Sequence, residues 1–320
     1  MPKVSVIVPV YGVEKYIERC ARSLFEQTLD DIEYIFVDDC TPDLSIEILE
    51  KVIDQYPTRK PCVKIVRLEK NGGLPQARKY GILAATGEYI THCDSDDWVD
   101  VTMYEKMYHN AIETDADMVW CDFYRSYDEK KELYSQKCDN NIKNVVISIF
   151  NSSLMASLCI RLYKRQLHNE DFIYPKENMM EDFVITLQIV LKSKKISYLE
   201  EPLYYYYFNS ESICVTIDEN KVLKRFQSYK TNLELSFSIL EKYKFQLDNN
   251  LIVYKKFLCK EQLGPILYIP QYKNLFVNTY SEINKKIFFN KFIRFKSKVK
   301  TFIVFFSLHF LYKKLWDYCH

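Results

Sequence analysis

Short β-branched runs that end in a breaker or in acids, each followed by a stretch of helical spacing, constrain this chain more than any other feature. Lys3-Val4-Ser5-Val6-Ile7-Val8-Pro9-Val10 is one such run, closed by Pro9 and followed by a Tyr11-Gly12 turn. Apolar residues at Val13, Tyr16, Ile17, Cys20, Leu24 and Phe25 then recur at the helical period, and Glu33–Val37 is a second strand running straight into Asp38 and Asp39. Strand, helix and strand in that order make a βαβ unit, right-handed almost without exception. The alternation continues with a helix from Leu44 to Tyr56, a strand at Val63–Arg67, a helix from Pro75 to Ala85 and a strand at Tyr89–Cys93. A helix from Asp100 to Thr114 and a strand at Asp117–Phe123 follow. This pattern predicts an α/β fold around a largely parallel sheet, whose ligands collect beyond the carboxyl ends of the strands.

Tyr89-Ile90-Thr91-His92-Cys93-Asp94-Ser95-Asp96-Asp97-Trp98 is the stretch with the most chemistry in it. A buried strand there climbs into three carboxylates within four positions, an unfavourable cluster unless something positive sits among them. A divalent cation fits, since Mg²⁺ or Mn²⁺ needs one or two carboxylates and fills its shell with phosphates and water. The alternative is a solvated acidic turn with Asp96 or Asp97 capping the next helix. Asn71-Gly72-Gly73-Leu74, with Arg78 just inside the following helix, has two readings as well: backbone amides that receive an anion, or a plain tight turn. Glu181 and Asp182 open a helix that runs to about Lys194, where acids also serve simply to complement the helix dipole.

The totals narrow the class. With 320 residues, 48% hydrophobic and 27% charged, the chain can bury a large core with an appendage. A net charge of +1 gives no case for nucleic acid as partner. Ten cysteines without CxxC spacing predict free thiols in a reducing compartment. Met1-Pro2-Lys3 runs into the first strand, so no secretory leader is expected, and no apolar run reaches the roughly 20 residues that cross a bilayer. There is no GxxxxGK[ST] and no GxGxxG, which argues against an NTPase or a dinucleotide-dependent dehydrogenase. Tyr124–Asn141 reads as a surface loop or hairpin, and Ile196–Tyr207 as two strand-like runs around Pro202. Past about Ser212 long helical stretches replace the alternation, which puts a boundary near Ile213–Ile217, between residues 1–214 and 215–320.

Five fragments, in order over about 180 residues, resemble a family-2 glycosyltransferase of the GT-A fold. They are Val4–Tyr11, Val37-Asp38-Asp39-Cys40-Thr41, Asn71-Gly72-Gly73 with Ala77-Arg78, Asp94-Ser95-Asp96-Asp97-Trp98, and Glu181-Asp182. The resemblance implies a nucleotide-sugar-binding α/β domain and fades after Ser212, so the helical C-terminal extension rests on the residue pattern alone. It places Pro9 and Tyr11 at the nucleoside, Tyr11 against the base, with Asp39 accepting from a ring N–H and Asp38 supporting the turn. It puts Asn71, Gly72 and Arg78 along the nucleotide, Asp94 and Ser95 at the ribose, and Asp96 on a Mn²⁺ or Mg²⁺ between the phosphates. Asp182 would be the catalytic base, with Glu181 positioning the acceptor. The reaction so implied is inverting transfer, a UDP-sugar favoured, to a hydroxyl of a glycan or lipid-linked acceptor in cell-surface polysaccharide synthesis. One departure stands out: where such chains carry an Arg or His after the last strand, this one has Tyr207, so either another cation, Arg161 or Lys164, substitutes or phosphate handling rests on the metal. An inactive nucleotide-sugar-binding scaffold is the competing reading.

The C-terminal stretch interleaves aromatics with lysines, and from Lys285 onward nine Lys or Arg face one acid, Asp317. It reads either as an interfacial helix that meets anionic lipid or as a core or dimer helix with solvated lysines. The first predicts a cytoplasmic protein, peripheral at the inner face of the plasma membrane; the second is compatible with a homo-oligomer.

Overall fold

The computed structural model describes residues 1–127, 130–208, 218–308 and 311–312. The boundary expected near 213–217 lies outside the described residues, as do 309–310 and 313–320 of the basic tail. The chain divides into two compact units, one of residues 1–149, 153–176 and 181–209, the other of 150–152, 177–180 and 210–320.

The first unit is built on one sheet, with strands β1 (Val4–Val10), β2 (Ile32–Asp38), β3 (Val63–Arg67), β4 (Tyr89–His92), β5 (Trp98–Val99), β6 (Met118–Tyr127), β7 (Lys130–Tyr134), β8 (Arg161–Lys164) and β9 (Ile196–Tyr207). Its helices are α1 (Ile17–Phe25), α2 (Ser45–Asp54), α3 (Leu74–Ala84), α4 (Met103–Thr114), α5 (Ile142–Phe150) and α6 (Glu181–Lys192). Strand order is β3-β2-β1-β4-β8-β6-β9-β5, with β7 added to β6. The β3-β2-β1-β4 portion is parallel, as the alternation predicts, while β8 runs antiparallel to both β4 and β6.

Pro9 does not end β1; it sits within it, opposite Val37. The carbonyl of Ile7 faces β4 and accepts from Cys93, so Pro9, two residues on, faces the same side. By then β4 has left the ladder, and the N–H that proline lacks is not needed there. Pro202 likewise interrupts no strand: β9 is continuous and accommodates it by a bulge, the register stepping from Cys121↔Leu199 to Asp122↔Pro202. Residues 124–127 extend β6 and pair with β7, which makes the expected hairpin. The core of this unit is fully buried Val, Ile, Leu and aromatic side chains on both faces of the sheet, Val6, Val8 and Phe36 on one and Ile7, Ile35 and Val37 on the other.

In the second unit α7 (Glu219–Lys242), α8 (Asn249–Glu261), α9 (Tyr272–Asn278) and α10 (Phe295–Phe305) bury Val222, Leu233, Cys259, Phe276 and Val304 against one another. Asp218 and Asp248 cap α7 and α8 by accepting from Lys221 and Asn250 backbone amides. On α10 the inner face carries Thr301, Ile303 and Val304. Phe295, Phe302 and, just past the helix end, Phe306 stand on the other face in solvent, Phe295 80% exposed. Among the described residues no helix is long and apolar enough to cross a membrane. None of the eight described cysteines is paired in a disulfide; five are buried, Cys40 is exposed, and Cys62 and Cys138 are half-buried.

Candidate active site

Parallel register brings the predicted residues of the first half of the chain to one edge. Val10 lies opposite Asp38 and Ile7 opposite His92, so Pro9–Tyr11, Asp38–Asp39 and Asp94 all leave the sheet on the same side. Tyr11 stands there about half exposed. Asp38 accepts from the Thr41 amide at 2.9 Å across the left-handed Cys40 (φ 55°), a turn-supporting role.

Asp39 is buried, and its two carboxylate oxygens accept the amides of Gly72 (2.7 Å) and Gly73 (2.8 Å). The Asn71 side-chain amide donates to the Asp39 carbonyl. The anion received by this glycine turn is therefore Asp39 itself, and strand β2 and the start of α3 are tied into one surface. Gly73 has φ 77° and ψ 172°, a conformation in which a side chain would be strained.

The acidic stretch is a tight turn closed by the Asp97 amide on the Asp94 carbonyl at 3.0 Å. Neither Asp96 nor Asp97 caps a helix, since α4 begins only at Met103 and Asp100 serves the Thr102 amide instead. Asp97 is buried, takes the Tyr204 hydroxyl and the Tyr207 amide from β9, and is pushed well up by burial and by Asp96 and Asp94. Asp96 is half-buried and pushed up to about 6, first by burial and then by Asp94. Ser95 is buried in the turn.

Arg78 connects this turn to the far helix. Its guanidinium is buried, donates to Asp94 at 2.9 Å and lies 3.6 Å from Glu181. Its Nε and Nη1 have no hydrogen-bond partner. Burial pushes Glu181 and Asp182 up, and the charge of Arg78 offsets this in part for both. Residues 78, 94 and 181, which span over a hundred positions of the chain, thus form one ionic cluster around the buried Arg78, with Asp182 beside it.

Of the two substitute cations, Lys164 is excluded by register. It lies opposite Tyr89, at the far end of β4 from the acids, and pairs with Asp117 at 3.0 Å. Arg161, three residues earlier on β8, is at the acid end and fully buried. It donates to the carbonyls of Ser157 and Met155, and the charge of Asp182 acts on it.

Local spacing did not point to Arg19. It is on α1 beside the buried Cys20, where the helical pattern makes it an edge residue. Its Nη2 donates to the Asp96 carbonyl at 2.8 Å, and its guanidinium lies 3.8 Å from the Trp98 ring centre and 4.7 Å from that of Tyr207. Trp98 is held in turn by β5–β9 pairing and stacks on Tyr205 at 5.3 Å.

Among the described residues no group of three His, Cys, Asp or Glu side chains is arranged to hold a metal. A hard cation that retains water and takes phosphate oxygens does not need one. Asp96, burdened by its neighbour Asp94, is a carboxylate whose ionised form such a cation would favour, so the residues fit Mn²⁺ or Mg²⁺. A cavity of about 450 Å³ belongs to the second unit, lined by Phe257, Glu261, Phe276, Arg294, Lys300 and neighbours, and no predicted site residue lines it.

A family profile described as Glycosyl transferase family 2 matches residues 5–172. The chain is 32% identical over 222 residues to an uncharacterized glycosyltransferase, EpsJ of Bacillus subtilis, covering 67% of this chain and 63% of that protein. Among solved structures, residues 1–349 of TarS from Staphylococcus aureus, in complex with UDP-GlcNAc, superpose with TM-score 0.64 at 20% identity, covering 98% of this chain and 90% of that one. A mannosyltransferase from Pyrobaculum calidifontis, in complex with GDP-Man and Mn²⁺, gives 0.56 at 14% identity, covering 99% and 88%. The two structural likenesses show the fold, a GT-A α/β domain with a helical C-terminal region. Taken with the profile match over more than half its length, this chain belongs to the family 2 glycosyltransferases.

Proposed function

We propose that the chain is a metal-dependent, inverting glycosyltransferase that moves a sugar from a nucleotide sugar to an acceptor hydroxyl. Residues 1–214 form the catalytic domain in this reading, and 215–320 a basic appendage. The observation that carries it is the Arg78 bridge, which joins the acidic turn at Asp94 to Glu181 in one cluster with Asp182 beside it. Asp182 takes the proton of the acceptor hydroxyl as its oxygen bonds to the anomeric carbon. The bond from that carbon to the phosphate oxygen breaks on the opposite face, and the nucleoside diphosphate leaves with the electron pair. One displacement with no covalent intermediate inverts the anomeric centre. Glu181 orients the acceptor side, Arg78 ties Glu181 to Asp94, and Tyr11, half exposed at the strand edge, receives the base. Asp96 would hold Mn²⁺ or Mg²⁺, which supplies charge for the departing diphosphate.

A UDP-sugar is favoured because Tyr11, exposed at the strand edge, suits a pyrimidine, and the TarS structure was solved with UDP-GlcNAc; Asp39, held by the glycine turn, shapes the wall beside it. The acceptor is a glycan or lipid-linked saccharide of cell-surface polysaccharide synthesis. The membrane is reached through the exposed aromatic side of α10, with the lysines of the same helix at its flanks. The test is a panel of UDP-, GDP- and dTDP-sugars, assayed with and without Mn²⁺ for transfer and slow hydrolysis. Turnover of a UDP-sugar that stops on chelation is expected. Turnover of a GDP-sugar alone overturns the nucleotide assignment, and nucleotide binding without turnover of any donor supports the inactive scaffold instead.

A further inference from the structure

The acidic turn holds three carboxylates, and a nucleoside diphosphate brings further negative charge to the same place. Two described cations touch that turn. Arg78 pairs with the Asp94 carboxylate and reaches toward Glu181, so its charge is shared among acids on the other side of the cluster. Arg19 is different. It bonds the turn through a neutral atom, the Asp96 carbonyl, and no carboxylate lies within ion-pair distance of it among the described residues. Its charge reaches Asp97 and Asp96 only through space, without a salt bridge, and stays open to whatever the turn binds.

The setting of Arg19 is built rather than incidental. Trp98 and Tyr207 both lie against its guanidinium, and their ring centres are 6.4 Å apart. Tyr16, three residues earlier along the chain, packs on the same Tyr207 ring at 5.4 Å, so α1 grips Tyr207 twice. Tyr207 is itself anchored by its amide on Asp97. The Arg19 Nε is buried without a hydrogen-bond partner. Guanidinium stacking between aromatic faces keeps the charge while shedding much of its hydration, which a lysine does less well. A solvated surface arginine would show none of these contacts.

We propose that Arg19 is a positioning residue for the donor diphosphate: from α1, stacked on Tyr207 and Trp98, it fixes the Asp94–Asp97 turn and supplies it with a positive charge that no salt bridge takes up. Tyr207, an aromatic at the place where similar chains carry a basic residue, is then the platform that holds a cation delivered by another element. This inference rests on the donor site proposed above.

The test separates charge from clamping. Arg19→Gln keeps an N–H that can reach the Asp96 carbonyl but removes the charge, whereas Arg19→Lys keeps the charge and loses the fork. UDP, GDP and uridine are titrated calorimetrically against each protein in excess Mg²⁺, with thermal melts to establish that the fold is kept. Arg19→Gln is expected to weaken the diphosphate that the wild type binds by about tenfold, and Arg19→Lys by about threefold or less. Uridine binding is expected to be unchanged in both. In a double variant, Tyr207→Arg added to Arg19→Gln is expected to recover part of the loss, by placing the cation on β9 directly. Equal diphosphate affinity in Arg19→Gln and wild type overturns the inference, as does an equal loss for uridine. If the wild type itself binds neither diphosphate, the donor-site reading falls first and this inference falls with it.

Discussion

Asp182 and Glu181 are adjacent along the chain, yet the fold gives them different surroundings. Glu181 is buried and faces Arg78, whereas Asp182 is only partly buried, with one oxygen accepting the Phe183 amide. That leaves Asp182 the better placed of the two to meet an incoming hydroxyl. Burial pushes its pKa up, and a base works only when deprotonated. Activity is therefore expected to fall as pH is lowered through a value above the ordinary aspartate range of about 4, visible as a displaced acid limb in kcat/KM. Asp182→Asn is expected to lower kcat by at least about 100-fold while UDP affinity stays within about twofold. Undiminished turnover would remove Asp182 from the role of base. Asp96→Asn is expected to raise the Mn²⁺ concentration needed for half-maximal rate, measured by titrating metal at fixed donor.

Element geometry explains why three residues decide whether a cation is in the site or out of it. Strand β8 crosses the sheet antiparallel to β4, so Arg161 emerges near the acids and Lys164 at the opposite end. A similar constraint acts on α3, which carries Arg78. Gly81, one turn further along, lies so close to Ile7 on β1 that an added Cβ would overlap the Ile7 methyl. Gly81→Ala is expected to destabilise the chain by about 1–3 kcal/mol in urea denaturation, because α3 must lift from the sheet. The same variant is expected to lose donor affinity, since lifting α3 withdraws Arg78 from Asp94. Full stability in Gly81→Ala would mean that the helix is free to shift.

For the molecule as a whole, charge and aromatic placement point to a surface. The second unit turns Phe295, Phe302 and Phe306 outward on one side of α10, with Lys296, Lys298 and Lys300 along the same helix. A solvated core helix would bury those rings. An interfacial helix buries its aromatics among acyl chains and sets its lysines at the headgroups. The purified chain is expected to float with vesicles containing anionic lipid and not with purely zwitterionic ones, and 0.5 M salt is expected to weaken this. The triple change of Phe295, Phe302 and Phe306 to Ser is expected to abolish flotation with donor hydrolysis intact. Wild-type self-association lost in the triple variant, with no flotation of either protein, would assign the face to a second copy of the chain instead.

Much of the fold was legible because it is written in local periods. Strands of β-branched residues, helices at the 3.6 spacing and acids placed at strand ends are all visible within windows of a dozen residues, and parallel pairing then forces those ends to one edge. What each acid does there was not legible. Asp39 accepting the Gly72 and Gly73 amides, Asp97 anchored by Tyr204 and Tyr207, and Arg19 stacked against Tyr207 join residues from about 30 to nearly 190 positions apart. No local pattern encodes such partners, because they are chosen by which strand lies beside which. The amino-acid order alone determined that carboxylates would gather at one end of a sheet; only the tertiary structure decided which of them are already bonded to the protein and which are left for a ligand.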